Sequence, residues 1–214
     1  DAHDLRPTER SPLRGAASDG GDVGAHPYDG APTPELMGWL RSDLVLSARD
    51  APWLVPGDLV VPEGVALTVE AGAEVRFGPG DAMQGGRDVN RTELIVEGSL
   101  RLLGRVDAPV ALASGNGQPA EGDWRGVQLR AGSRDLAFEH VVVRHAYDPV
   151  RIETEAPVTL TAPRMEGTSG NGVGVDVAGP GAVRVLDGWI AGGARGVRIN
   201  DADGNNAPDG GPVD

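Results

Sequence analysis

The run "NDADGNNAPD" (200–209) places oxygen-bearing side chains at Asp201, Asp203, Asn205 and Asp209 around a Gly turn. Alternating carboxylates and amides on a flexible loop suit Ca²⁺, which takes six to eight oxygen ligands without strict geometry. The terminal Glu of a full EF-hand is missing, so a solvated acidic linker competes with the calcium reading. Other carboxylates do not pair by spacing. Asp135 and Glu139 flank one apolar segment, Asp176 and Asp187 lie on others, and Glu153 and Glu155 share a face by alternation. Sugar hydrolysis needs two carboxylates converging on one bond. None of these pairs repeats on a matching face, so no catalytic residue is assigned and the chain is not expected to be an enzyme.

The remaining chemistry-bearing side chains read as structural. His140 and His145 are five apart and point to different sides, which suits turns better than a metal pair. Trp39, Trp53, Trp124 and Trp189 are expected to pack at coil ends and corners rather than to stack on sugars. Arg144, Arg151, Arg195 and Arg198 suggest a stripe across successive coils, paired with Glu153, Glu155 and Asp201 at little energetic value in water.

What must position these groups is a repeat. "GVQL", "PVRI", "GVGV" and "GVRI" place Val127, Val150, Val173 and Val197 at intervals of 23 or 24 residues. A second column holds Leu136, Val158 and Val183, and a third holds Val143, Met165 and Ile190. Earlier in the chain, "LTVEAGAEVRF" aligns with "LIVEGSLRLL", matching Leu67, Val69, Val75 and Phe77 to Leu94, Val96, Leu100 and Leu102. "GPGDAMQGGRDVN" between them reads as a polar corner loop. Period-two alternation puts these apolar residues on one face of short strands. Gly and Pro bound each strand, leaving no room for helices of ten residues. The expected fold is all-β: a parallel solenoid of six or seven coils, each rising about 4.8 Å, right-handed by the crossover preference.

Composition agrees. All 19 basic side chains are Arg, against 32 acidic ones, for a net charge of −13. Such a surface argues against nucleic acid or an anionic membrane as partner. The absence of Cys removes disulfides, thiolate metal sites and cysteine nucleophiles. No apolar run reaches the length of a membrane span. Aromatics make up 4% of the chain, and β-branched side chains with Gly corners suit narrow stacked layers.

The order "WLVPGDLVVPEGVALTVEAGAEVRF", "LIVEGSLRLLGRVDAPVAL", "GDWRGVQL" resembles the opening of bacterial secreted right-handed parallel β-helix proteins of the pectin-lyase-like group. The match falls on Trp53, Gly57, Gly64, Gly72, Phe77, Gly98, Gly104, Pro109, Trp124 and Gly126, and covers roughly 50–200. The resemblance implies an extracellular or cell-surface location. It does not choose between enzymes, adhesins and spacers. "DLRPTERSPLRGAASDGGDVGAHPYDG" (4–30) is similar to the closing segment of such proteins, through Leu5, Pro7, Ser11, Pro12, Leu13, Asp22, Val23, Gly24 and Ala25. An ending thus stands before a beginning.

The expected organisation is a segment 1–32 resembling a terminal coil, a cap at 33–50, a β-helix at 51–200 and an Asp/Gly/Asn-rich tail at 201–214. In "TPELMGWLRSDL", Thr33 as N-cap and Leu36, Met37 and Leu40 at helical spacing predict a short helix in the cap. The end of a β-helix is a rim of unpaired backbone groups that invites strand addition. The leading segment is expected to cover that rim on a neighbouring copy or tandem module through Leu5, Leu13, Val23 and Tyr28. The acceptors are Val183, Val185, Ile190, Val197 and Ile199. Repeated head to tail, such a contact builds a fibre. The alternative is a carbohydrate-binding or carbohydrate-active β-helix with a polysaccharide partner.

Overall fold

The computed structural model describes residues 36–200. Each turn of chain lays down three short strands. The first coil holds β1 (Gly38–Trp39), β2 (Leu44–Leu46) and β3 (Trp53–Val55), with one 3₁₀ turn at Ala48–Asp50. The second holds β4 (Leu59–Val61), β5 (Ala66–Glu70) and β6 (Glu74–Phe77), and the third β7 (Glu93–Val96), β8 (Ser99–Leu103) and β9 (Val110–Ser114). The fourth holds β10 (Gly126–Leu129), β11 (Arg134–Glu139) and β12 (Val141–Arg144). The fifth holds β13 (Val150–Ile152), β14 (Val158–Thr161) and β15 (Arg164–Thr168). The sixth holds β16 (Val173–Val177), β17 (Val183–Leu186) and β18 (Trp189–Gly192), and β19 (Arg195–Ile199) opens a seventh.

Every third strand pairs in parallel, giving a seven-stranded sheet β1-β4-β7-β10-β13-β16-β19 and two six-stranded sheets, β2 to β17 and β3 to β18. This is a right-handed parallel β-helix. The physical cause is the alternation read above. Residues of even phase fill the bore while their neighbours face out. Leu59, Leu94, Val127, Val150 and Val175 stack in one column, each at most 1% exposed. Phe138 sits on Leu160, and Val143 on Met165, both columns as expected. The Phe77 and Trp124 rings stack nearly parallel, with centroids 4.0 Å apart, inside the bore.

Two corners shape the coil. Between the second and third strands, single residues with left-handed backbone turn the chain: His140 (φ 46°), Ala162 (φ 49°) and Asp187 (φ 52°) on three successive coils. At another corner Gly126 has φ 120°, and a Cβ there would collide with the carbonyl of Asp148 on the next coil. Only Gly allows that approach.

The structure corrects three expectations. Residues 36–50 form the first coil instead of a helical cap. Gly38 and Trp39 pair with Leu59 and Val60, because Leu36, Leu40 and Leu44 bury more surface against the open bore than one helical turn could. Val150 pairs with Val175 and not Val173, since the coil from Val150 to Val175 spans 25 residues where that from Val127 to Val150 spans 23. The early alignment also slips: Leu67 and Val69 lie on Leu100 and Leu102, while Leu94 and Val96 lie on Leu59 and Val61. Both segments alternate alike, and the corner loop lengthens that coil without marking which strand it follows.

Candidate functional site

Three features stand apart from the packed bore: the last rung, the covered outer face of the seven-stranded sheet, and a groove along the single-residue corners.

The last rung holds β17, β18 and β19, each the final strand of its sheet. Val197 and Ile199 continue the columns of Val175 and Val177. Those two are 0% and 6% exposed, whereas Val197 is 49% and Ile199 65% exposed. Val183, Val185 and Ile190 also belong to the bore and are only partly buried against it. The five predicted acceptor residues therefore share one rung and face the bore. Leu5, Leu13, Val23, Tyr28, Asp201, Asp203, Asn205 and Asp209 lie outside the described residues, and so does the calcium reading.

On the outer face of the seven-stranded sheet, Val60, Ile95, Gln128, Arg151, Asp176 and Arg198 form one row. Gln128 and Asp176 are fully buried there. The corner loop between β6 and β7 folds back over part of this face, and its Arg87 reaches Glu153 at 3.2 Å. Three carboxylates pin the loop. Asp81 accepts from the amides of Asp58, Met83 and Gly85. Glu93 accepts from those of Arg87 and Asp88. Asp58 Oδ1 accepts from the amide of Glu93, while its Oδ2 is buried with no partner beneath Gly85 and Gly86. Burial pushes the Asp58 carboxyl up to about 7, with the charges of Asp81 and Glu93 adding to it. Burial raises Glu93 as well. A proton held there is closed off by the loop, which makes this trio an anchor for the chain rather than an acid presented to a ligand.

Further along the row, Asp176 accepts from Arg151, from Arg198 at 2.8 and 2.6 Å, and from Asn200 at 2.9 Å. Burial opposes ionisation of Asp176, but the Arg198 hydrogen bonds and the two guanidinium charges outweigh it and hold the carboxyl below its usual range. Glu153 is likewise held low against burial by Arg151 and Arg130. The expected arginine stripe exists in part, but its main partner among the described residues is Asp176 and not Glu155, while Asp201 lies outside them; Arg144 pairs instead with Glu166 at 2.8 Å. Glu153 and Glu155 do not share a strand face, because β13 ends at Ile152.

The groove runs along the third sheet beside the corners of His140, Ala162 and Asp187. It encloses about 520 Å³ and is lined also by Arg105, Val106, Pro109, Val142, Arg144, Arg164 and Trp189. Glu166 takes Arg144 on one oxygen and Arg164 on the other, at 2.8 and 2.9 Å. The Arg164 guanidinium sits over the Trp189 ring at 5.3 Å. Trp189 is 51% exposed and Trp39 61%, so these two are surface residues. Trp53 and Trp124 are packing residues as expected, but in the core of the bore. Ile190 faces the bore, so alternation turns its neighbour Trp189 outward.

Sequence spacing held one unread signal. Asp58 and Asp81 are separated by 23 residues, one full coil, and the structure brings them together. Among the described residues, no group of three or more His, Asp or Glu is arranged to hold a metal ion, and no helix is long and apolar enough to cross a membrane. Comparison of the chain with protein families, curated proteins and solved structures returns no match.

Proposed function

We propose that this chain is a structural β-solenoid module of an extracellular or cell-surface fibre, joined end to end to a second copy or to a tandem module, in keeping with its resemblance to secreted β-helix proteins. One observation carries the reading. Bore-facing Val197 and Ile199 are half to two-thirds exposed in the last rung, while the residues beneath them are buried. Covering the exposed half to two-thirds of each side chain contributes about 1–2 kcal/mol. The strand edges of that rung add backbone pairing. The leading segment of a neighbour, through Leu5, Leu13, Val23 and Tyr28, is the proposed cover.

The test uses the full chain and two variants, one lacking residues 1–30 and one carrying Val197→Asp with Ile199→Asp. Sedimentation velocity and electron microscopy should show end-to-end multimers for the full chain and folded monomers for both variants. Filaments from the truncated chain, or a monodisperse monomer from the full one, would refute the reading.

A further inference from the structure

The corner groove at the last rungs is richer in arginine than the chain as a whole. The protein carries a net charge of −13. The groove gathers Arg105, Arg144 and Arg164 around an exposed indole, against Asp187, the shared Glu166 and Asp107, which pairs with Arg105 at 3.3 Å. Glu166 holds Arg144 by Nε and Arg164 by one Nη. The other guanidinium N–H groups of both residues remain unspent among the described contacts. Two arginines fixed by one carboxylate are pre-organised, so less side-chain freedom is lost when they meet an anion. Trp189 supplies a flat apolar face beside them.

We propose that this groove is the docking surface for the acidic part of the leading segment, residues 18–30, of a second copy of the chain. This rests on the end-to-end reading and names the surface on which the neighbour's segment lies before its coil covers the rung. Charge complementarity selects the occupant. From Gly15 to Glu35 the sequence has no Lys or Arg, and within "SDGGDVGAHPYDG" it has Asp19, Asp22 and Asp29. The groove crosses four coils, and Arg105, Arg144 and Arg164 come from three successive ones, about 10 Å of rise. A few residues of extended chain span that distance. Pro27 and Tyr28 follow as partners for the indole. The groove also adjoins the exposed last rung, so one segment can reach both.

A fluorescently labelled peptide of residues 18–30, titrated onto the full chain, tests the assignment by anisotropy. Saturable binding is expected. It should weaken at least tenfold on Arg144→Ser with Arg164→Ser and on Trp189→Ala, recover largely with Arg144→Lys and Arg164→Lys, and fall as salt rises. A peptide with its three Asp changed to Asn should bind at least tenfold more weakly. Val197→Asp with Ile199→Asp should weaken binding less than the groove variants do, because of the rung-covering residues the peptide carries only Val23 and Tyr28. No binding, equal affinity for the groove variants, or saturable binding of an oligouronide in place of the peptide overturns the proposal. If the full chain is monomeric yet the peptide binds through the groove, end-to-end stacking fails and the groove stands. If the chain assembles and the peptide ignores the groove, only the groove assignment fails.

Discussion

Replacing Asp58 by Asn should stabilise the protein above neutral pH and leave it unchanged in acid. The carboxyl has a usual value of 3.8 and sits at about 7 in the folded chain, chiefly through burial. The folded state therefore holds this proton more tightly than the unfolded state. Below the usual value both states are protonated and the group has no effect on stability. Between about 4 and 7 the unfolded carboxyl is ionised while the folded one is neutral, so stability falls by about 1.4 kcal/mol per pH unit. Above 7 the loss is complete, at about 4 kcal/mol. That figure is a ceiling, since the loop over Gly85 and Gly86 can open and rehydrate the carboxylate before the bore unfolds. Glu93 is buried beside it and shares the titration, so the effect belongs to the pair.

Asn keeps the oxygen that accepts from the Glu93 amide and replaces the partnerless Oδ2 with a donor. Thermal unfolding followed by circular dichroism from pH 5 to 8 reads the outcome. Wild type should lose Tm across this window. The Asn variant should lack that component and melt higher at pH 8, by up to about 10 °C for a body of this size. Equal melting at pH 8, or a wild-type advantage there, would show that Asp58 is hydrated or paired and refute the reasoning.

Asp176→Ala should cost about 3–5 kcal/mol in denaturant unfolding, because it leaves two partly buried guanidiniums without their shared carboxylate. Amide exchange in β19 should quicken most, since Arg198 and Asn200 tie that strand to Asp176. In wild type this contribution is present at neutral pH and is lost only as pH falls below the usual carboxylate range, so an unchanged acid limb in the variant would contradict it. Ala162→Asn should gain about 0.5–1 kcal/mol, because Asn tolerates the left-handed corner that Ala occupies at φ 49°. A Tm rise of about 2 °C is expected, and a fall would mean that the corner is not strained.

Much of the architecture was legible because a solenoid writes its layers into local order. Alternation fixed which side chains face the bore, and the recurrence of Phe138 with Leu160 and Val143 with Met165 gave true neighbours. The rung that ends the described bore was equally visible, since Val183, Val185, Ile190, Val197 and Ile199 all fall on it. Register across variable corners was not legible. A coil longer by two residues keeps the phase of alternation, so Val173 and Val175 look the same until the coils are stacked.

The polar sites show the same division. The sequence by itself determined that apolar alternation would wind into stacked layers, because phase is a property of neighbours along the chain. Only the tertiary structure decided that Asp58, Asp81 and Glu93 meet under one loop, that Arg151 and Arg198 share Asp176, and that Trp189 faces out beside Arg164. Those contacts lie across coils, at separations set by loop lengths that the alternation does not encode. Burial, and with it the raised carboxyl of Asp58, exists only once the layers have closed over one another.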